Sequence, residues 1–103
     1  MPIRLIREYV VEKYFVDRME KEFPETKVLK YEARRHEPDR ICLFPGGRIA
    51  FVELKRPGKE LRPGQERVFK WLLDSGFEVY SANTKEAVDD LILYFKSSSG
   101  PND

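Results

Sequence analysis

Apolar residues recur with helical spacing in three segments of the chain, two of which have well-marked ends. Residues 3–22 contain good helix formers, no glycine and no internal proline, and Pro24 ends the pattern. We therefore predict a long first helix. A second helix is predicted over residues 64–75, because Gly76 follows it in the position that helix C-termini favour.

Two other segments have the composition of strands. Residues 26–33 and 77–82 contain apolar and aromatic residues between turn-forming or polar neighbours. After the second of these, Asn83 or Thr84 is expected to cap a third helix that ends near Lys96. The last strand and the last helix therefore follow each other directly.

The middle of the chain, from Asp39 to Lys55, has the pattern strand, turn, strand, with the turn at residues 45–47. If these three residues form a hairpin loop, Asp39 faces Glu53 across the ladder. Opposed residues on one sheet face have Cβ atoms roughly 4.5 to 5.5 Å apart, and two carboxylates that close repel each other unless a cation neutralises them. A slip of one residue would send them to opposite faces.

Strand alternation places Lys55 on the same face as Glu53, two residues earlier. The two carboxylates suit a hard cation such as Mg²⁺, while Lys55 can position an attacking water or stabilise charge in the transition state. Each motif alone is common, and Glu-x-Lys at a strand end is often a solvated ion pair. Together, at hairpin spacing, they favour a metal-dependent nuclease centre.

The elements together predict an α/β fold of order α-β-β-β-α-β-α, with a mixed central sheet flanked by helices and the hairpin in its centre.

With 103 residues, 41% of them hydrophobic and 36% charged, we expect one globular domain over residues 1–96 and a disordered tail over 97–103. The lone Cys42 is expected in the core. No apolar run approaches the ~20 residues of a membrane span and no signal peptide is evident, so we expect a cytoplasmic protein without membrane contact.

Positive charge concentrates around the predicted centre. Residues 30–62 carry a net charge of +4, whereas residues 1–29 are neutral and residues 63–103 carry −3. This distribution favours a phosphate-binding face, although solvated loops would also account for it. His36 is expected to be a phosphate contact or a bystander. The predicted DNA-binding residues are Arg34, Arg35, Arg40, Arg56, Lys59 and Arg62.

Three more polar residues are candidates for the centre. Glu8 and Glu12 share a helical sector with apolar residues, and a carboxylate there is costly to bury unless it is paired or bound to metal. One of them is expected to supply a third acid, with Glu12 favoured; alternatively, they rim an apolar partner surface on this helix. Gln65, at the start of the second helix, could hydrogen-bond the metal-bound water or the region of Lys55.

A set of motifs is spread over almost the whole chain. Its members are Glu12, Pro38-Asp39-Arg40, Pro45-Gly46-Gly47, Phe51-Val52-Glu53-Leu54-Lys55, Pro57-Gly58, Leu61-Arg62-Pro63-Gly64-Gln65, and Gly76 before Val79-Tyr80. This set resembles the virus-type replication and repair nuclease domain (VRR-NUC) of the PD-(D/E)xK superfamily. One departure is that the family has glycine shortly before Pro-Asp, where this chain has His36-Glu37.

The resemblance implies a restriction-endonuclease-like fold, dependence on Mg²⁺ or Mn²⁺, and structure-selective cleavage of DNA. It implies Asp39 and Glu53 as metal ligands, Lys55 as the catalytic lysine, Gln65 as a supporting residue and Glu12 as the acid from the helix. We also expect the backbone carbonyl of Leu54 to be a metal ligand. Small stand-alone members of this family look like homodimers that cut four-way junctions.

Two other functions stay open at this point. A module of the same fold, or one subunit of a larger nuclease, would bind branched DNA without cutting it alone. A small protein-interaction domain with a fortuitous motif would have no DNA affinity at low salt. The paired carboxylates favour the nuclease, because clustered negative charge beside phosphates does not help a protein that only binds.

Overall fold

The structure, a computed structural model, describes residues 8–30, 36–98 and 100. Parts of the predicted first helix and first strand, residues 3–7 and 31–33, lie outside this range. No helix within it is long and apolar enough to cross a membrane. Its elements are α1 (Glu8–Glu22), β1 (Lys27–Lys30), β2 (Arg40–Leu43), β3 (Ile49–Leu54), α2 (Pro63–Asp74), β4 (Glu78–Ala82) and α3 (Lys85–Ser97).

These elements confirm the predicted order and the mixed central sheet. The strands lie side by side in the order β1-β2-β3-β4; β2 is antiparallel to β1 and β3, and β4 is parallel to β3. The hairpin strands β2 and β3 are therefore central. Arg40 pairs with Val52 and Leu43 pairs with Ile49, which is the register expected for a three-residue turn.

Helices cover both faces of the sheet. On one face, Ala50, Val52 and Leu54 of β3 join the main core with α1 and α3; on the other, Phe51 packs with α2. This alternation follows from the period of two in a strand. It also assigns Glu53 to the α2 face, because its sequence neighbours Val52 and Leu54 are buried on the opposite face.

The apolar side of α1 faces the core. Val11, Phe15 and Met19 are fully buried, four residues apart along the helix. These three side chains belong to the main core together with residues of the sheet and α3; the alternative that α1 presents an apolar surface to a partner stays a prediction. Cys42 is buried on the same side, as predicted, and burial raises the pKa of its thiol to about 12.

Local signals set the helix ends. The Thr84 side chain accepts a hydrogen bond from the Ala87 N–H at 3.0 Å, so Thr84 is the N-cap of α3. At the end of α2, Gly76 has φ 93, a left-handed conformation that glycine adopts without steric cost. Of the predicted disordered tail, Ser97 ends α3, and residues 99 and 101–103 lie outside the described part of the chain.

A buried ion pair joins β3 to β4 at the start of the two strands. Arg48 Nε and Nη2 lie 2.8 Å from the two carboxylate oxygens of Glu78, and the Tyr80 hydroxyl donates to Glu78 at 2.6 Å. The side chains of Arg48 and Glu78 are only 10% and 2% exposed. The pair lies at the opposite end of β3 from Glu53, so it supports the fold without touching the predicted centre.

Acid is expected to destabilise the fold through Glu78. Burial opposes ionisation of this carboxyl, but hydrogen bonds from Arg48 and Tyr80 outweigh it and hold the pKa of Glu78 below its ordinary value. The unfolded chain then binds the proton first, so the stabilisation is complete above about pH 4.5 and is lost as the pH falls through the lower folded pKa. Thermal denaturation in acid should show a steeper fall in Tm for the wild type than for Glu78→Gln; parallel curves would contradict this.

Candidate active site

Glu53 is the centre of the candidate site. Its residue exposure is 8%, although it lies near the end of a central strand on the face covered by α2. A carboxylate buried to this degree requires charged or hydrogen-bonding partners. Two such partners approach one of its oxygens.

The first partner is Lys55, as strand alternation predicts. The backbone N–H of Lys55 donates to the Ala82 carbonyl at 2.9 Å, which continues the pairing with β4 just beyond the end of β3. Its ammonium nitrogen lies 3.3 Å from Glu53 Oε2, and its side chain is 12% exposed. A positive charge is thereby held at the carboxylate with little access to water.

The second partner is Gln65, in the first turn of α2. Its side-chain nitrogen donates to Glu53 Oε2 at 3.4 Å, and its side-chain oxygen accepts from the Arg62 N–H at 3.0 Å. The second bond ties the amide to the N-terminus of α2, so the orientation of Gln65 is fixed from both ends. The sequence predicts a hydrogen bond from Gln65 to a metal-bound water or to the region of Lys55; in the structure its side chain reaches the Glu53 carboxylate.

Asp39 directly precedes β2. Because Arg40 pairs with Val52, the next position outward along the two strands places Asp39 opposite Glu53. Asp39 is half-buried, and Pro38 before it is buried. The observed register therefore agrees with the arrangement on which the predicted pair of carboxylates depends, and the metal-binding role of Asp39 and Leu54 stays a prediction.

Few acidic side chains are available as metal ligands. Within residues 8–30, 36–98 and 100, no group of three or more His, Cys, Asp or Glu side chains could hold a metal ion. A cation bound by Asp39 and Glu53 would therefore complete its coordination with backbone, water or phosphate oxygens. Mg²⁺ is commonly bound in this way, by one or two carboxylates together with waters and substrate phosphates.

Glu12 approaches the sheet from the α1 side. Its carboxylate lies 3.7 Å from the Arg40 guanidinium, and both side chains are 14% exposed. Since Arg40 pairs with Val52, it points to the α1 face, whereas Asp39 and Glu53 belong to the α2 face. Glu12 thus contacts the residue next to Asp39, and its role as the third acid stays a prediction. The side chain of Glu8 lies outside the described part of the structure.

A basic cleft adjoins Lys55. It has a volume of about 320 Å³ and contains one acidic residue. Of the other predicted DNA-binding residues, Arg40 is largely buried against Glu12, and residues 34 and 35 lie outside the described range. The cleft is lined by Lys55, Arg56, Lys59, Glu60 and Arg62.

His36 lies next to the candidate site. The sequence predicts it as a phosphate contact or a bystander, and that role stays a prediction. Its ring lies against Gly64, beside Gln65. The contact brings together the loop before Asp39 and the first turn of α2. No spacing in the sequence indicates it, because it depends on how the two loops meet in three dimensions.

Comparison with known proteins supports a nuclease. No family model matches the chain. A relative from Acyrthosiphon pisum secondary endosymbiont phage 1, named "Putative nuclease p44", is 34% identical over 84 residues, which are 82% of this chain and 90% of the relative. A solved structure described as "VRR_NUC domain" is 31% identical with a TM-score of 0.71, over 85% of this chain and 96% of that one. The similarity in sequence and in fold extends over most of this chain and of each of the two proteins. The protein belongs to the VRR-NUC family of nucleases.

Proposed function

We propose that this protein is a Mg²⁺- or Mn²⁺-dependent endodeoxyribonuclease that hydrolyses phosphodiester bonds in branched DNA, such as four-way junctions. The observation that carries the proposal is the meeting of Lys55 and Gln65 at the buried Glu53 carboxylate. The ammonium of Lys55, the carboxylate of Glu53 and the amide of Gln65 lie together beside a basic cleft. Such a set of groups suits phosphoryl transfer, in which negative charge develops on the phosphate.

The donor set fits a hard divalent cation. Glu53 and Asp39 offer carboxylate oxygens, and the Leu54 backbone carbonyl is a further oxygen donor; Mg²⁺ and Mn²⁺ prefer such ligands. Glu53 is only 8% exposed, so its negative charge carries a cost in desolvation free energy. A bound cation would offset that cost. When bound, the ion supplies Lewis-acid activation and orientation of water and phosphate.

The side chains around Glu53 have separate tasks in this proposal. Lys55 directs its ammonium at the attacking water or at a phosphate oxygen on which negative charge increases in the transition state. Gln65 holds the Glu53 carboxylate in place. The water oxygen gives up a proton to solvent and forms a bond to phosphorus as the bond to the 3′ oxygen breaks, and the departing oxygen takes up a proton from solvent. The products are a 5′-phosphate and a 3′-hydroxyl.

The basic cleft is proposed to hold the DNA backbone. Contacts to phosphate are largely independent of sequence and release counterions, so affinity should fall steeply with salt and DNA shape should select the substrate. Lys59→Ala is expected to weaken binding and to reduce the slope of log affinity against log salt by about 1. Fluorescence anisotropy in Ca²⁺ measures both.

Lys70→Ala is the matched control for this prediction. Lys70 is also an exposed lysine, but it lies on α2 outside the cleft and pairs with Asp74. The control should keep the wild-type salt slope. An unchanged slope in Lys59→Ala, or an equal change in both variants, would contradict the proposed path of the DNA.

A homodimer follows from the proposed substrate. One site cuts one strand, so a symmetric junction requires two sites related by a twofold axis. We propose that each protomer is a single domain over residues 1–96 and that the protein acts on DNA inside the cell. Light scattering at micromolar concentration should give twice the mass of the chain; a monomer that still cuts both strands of a junction in one encounter would contradict the dimer.

Substrate choice is tested with labelled four-way junction, flap, splayed-arm and linear duplex DNA. The proposal predicts cleavage of branched DNA at lower enzyme concentration than of linear duplex. Junction binding in Ca²⁺ without cleavage in Mg²⁺ or Mn²⁺ would favour the rival module or subunit, and absence of DNA affinity at low salt would favour a protein-interaction domain.

A further inference from the structure

His36 has the backbone conformation that most side chains avoid. Its φ is 75, and among the residues that the structure describes it is the one non-glycine residue with positive φ. A residue with a Cβ in this region is strained and persists where surrounding contacts hold it. The position is three residues before Asp39, so the strain lies in the segment that leads to a proposed metal ligand.

The ring of His36 packs directly on Gly64. A Cβ added to Gly64 would lie 2.5 Å from two atoms of the ring and 2.6 Å from a third, much closer than van der Waals contact. Gly64 is buried in the first turn of α2. The contact therefore requires glycine, because any larger side chain would occupy the place of the ring.

The contact connects two parts of the site. Gly64 is followed by Gln65, whose side chain donates to Glu53, and His36 is followed by the loop that carries Asp39. The His36 ring lies between this loop and the N-terminus of α2, so its size sets the distance between them. We infer that His36 is a positioning residue, which holds the Asp39 loop against Gly64 and so keeps the two carboxylates in register for the cation. This inference rests on the proposed metal-dependent function.

The test measures Mn²⁺ binding by calorimetry without DNA, in the wild type, His36→Gly, Gly64→Ala and the double variant. Glycine at 36 keeps the left-handed backbone without strain and removes only the ring. Alanine at 64 keeps the helix and displaces the ring. Each single change should weaken Mn²⁺ binding about tenfold, as loss of groups that orient metal ligands commonly does.

The double variant distinguishes this role from two independent defects. Because both single changes remove the same contact, the double variant should also bind Mn²⁺ about tenfold more weakly rather than about a hundredfold. Folding, followed by thermal denaturation, and DNA affinity in Ca²⁺ should stay at wild-type values. Lys70→Ala, at an exposed position of the same helix, is the matched control and should keep wild-type Mn²⁺ affinity.

The outcomes separate this inference from the proposed function. Wild-type Mn²⁺ affinity in His36→Gly, or losses that multiply in the double variant, would overturn the role of His36 and leave the nuclease proposal standing. A wild-type protein that neither binds Mn²⁺ nor cuts any DNA would overturn both. Weakened Mn²⁺ binding together with a fall in Tm and in DNA affinity would show a general structural defect and would also overturn the positioning role.

Discussion

Lys55→Met is expected to slow DNA cleavage by at least about a hundredfold, because in the proposed mechanism it removes the charged donor to the attacking water or the reacting phosphate. Methionine keeps the length of the side chain and its packing while removing the charge. The loss should appear in the single-turnover rate at saturating DNA, where weaker binding through the cleft no longer limits the rate. Gel analysis of a labelled junction, in samples quenched at successive times, measures the rate directly.

Lys59→Met is the matched control for this prediction. Lys59 lines the same basic cleft and has the same chemistry, but it is exposed and lies in the loop after Lys55. Its replacement should weaken DNA binding and leave the rate at saturation near the wild-type value. Equal rate losses in the two variants would show that Lys55 acts only by attracting DNA and would contradict its place in the chemistry.

Glu78→Gln is expected to reduce the free energy of unfolding by about 3 to 5 kcal/mol, because it leaves the buried Arg48 guanidinium without its counter-charge. The expected cost is high since the Arg48 side chain is only 10% exposed and has the aromatic rings of Phe44 and Phe95 within 5.3 Å. For a domain of this size the Tm should fall by more than about 10 °C. Urea denaturation gives the free energy.

Asp74→Asn provides the comparison at an exposed pair. The Lys70–Asp74 ion pair has the same 2.8 Å separation as Arg48–Glu78, but its side chains are 77% and 63% exposed. Water and salt screen such a pair, so its loss should change the free energy of unfolding little. Similar losses of stability in Glu78→Gln and Asp74→Asn would contradict the importance of burial for the buried pair.

Local signals in the sequence were sufficient for the hairpin. Pro45-Gly46-Gly47 sets a turn of fixed length, and a turn of fixed length sets the register, which brings Asp39 and Glu53 to opposed positions. The position of Lys55 then follows from the period of a strand. For the N-cap of α3 the sequence leaves two candidates, Asn83 and Thr84, because both residue types favour that position. The hydrogen bond from the Ala87 N–H shows that the cap is Thr84.

Contacts between distant segments could not be predicted in the same way. The parallel pairing of β4 with β3, which brings Glu78 to Arg48, has no local sequence signal because α2 intervenes. Helical periodicity gave the face on which Glu12 lies but did not show that it would meet Arg40. The contact of His36 with Gly64 depends on a backbone conformation that most residues avoid. Each of these features is a consequence of packing.

The central claim is that Glu53 belongs to a metal-dependent centre, and the most direct measurement is cleavage of a labelled four-way junction by the wild type and Glu53→Gln. Glutamine keeps the size of the side chain and its hydrogen bonding and removes the negative charge that a cation requires. We predict cleavage by the wild type in Mg²⁺ or Mn²⁺, none in Ca²⁺ or EDTA, and none by folded Glu53→Gln. Cleavage in EDTA, or undiminished cleavage by Glu53→Gln, would contradict the claim.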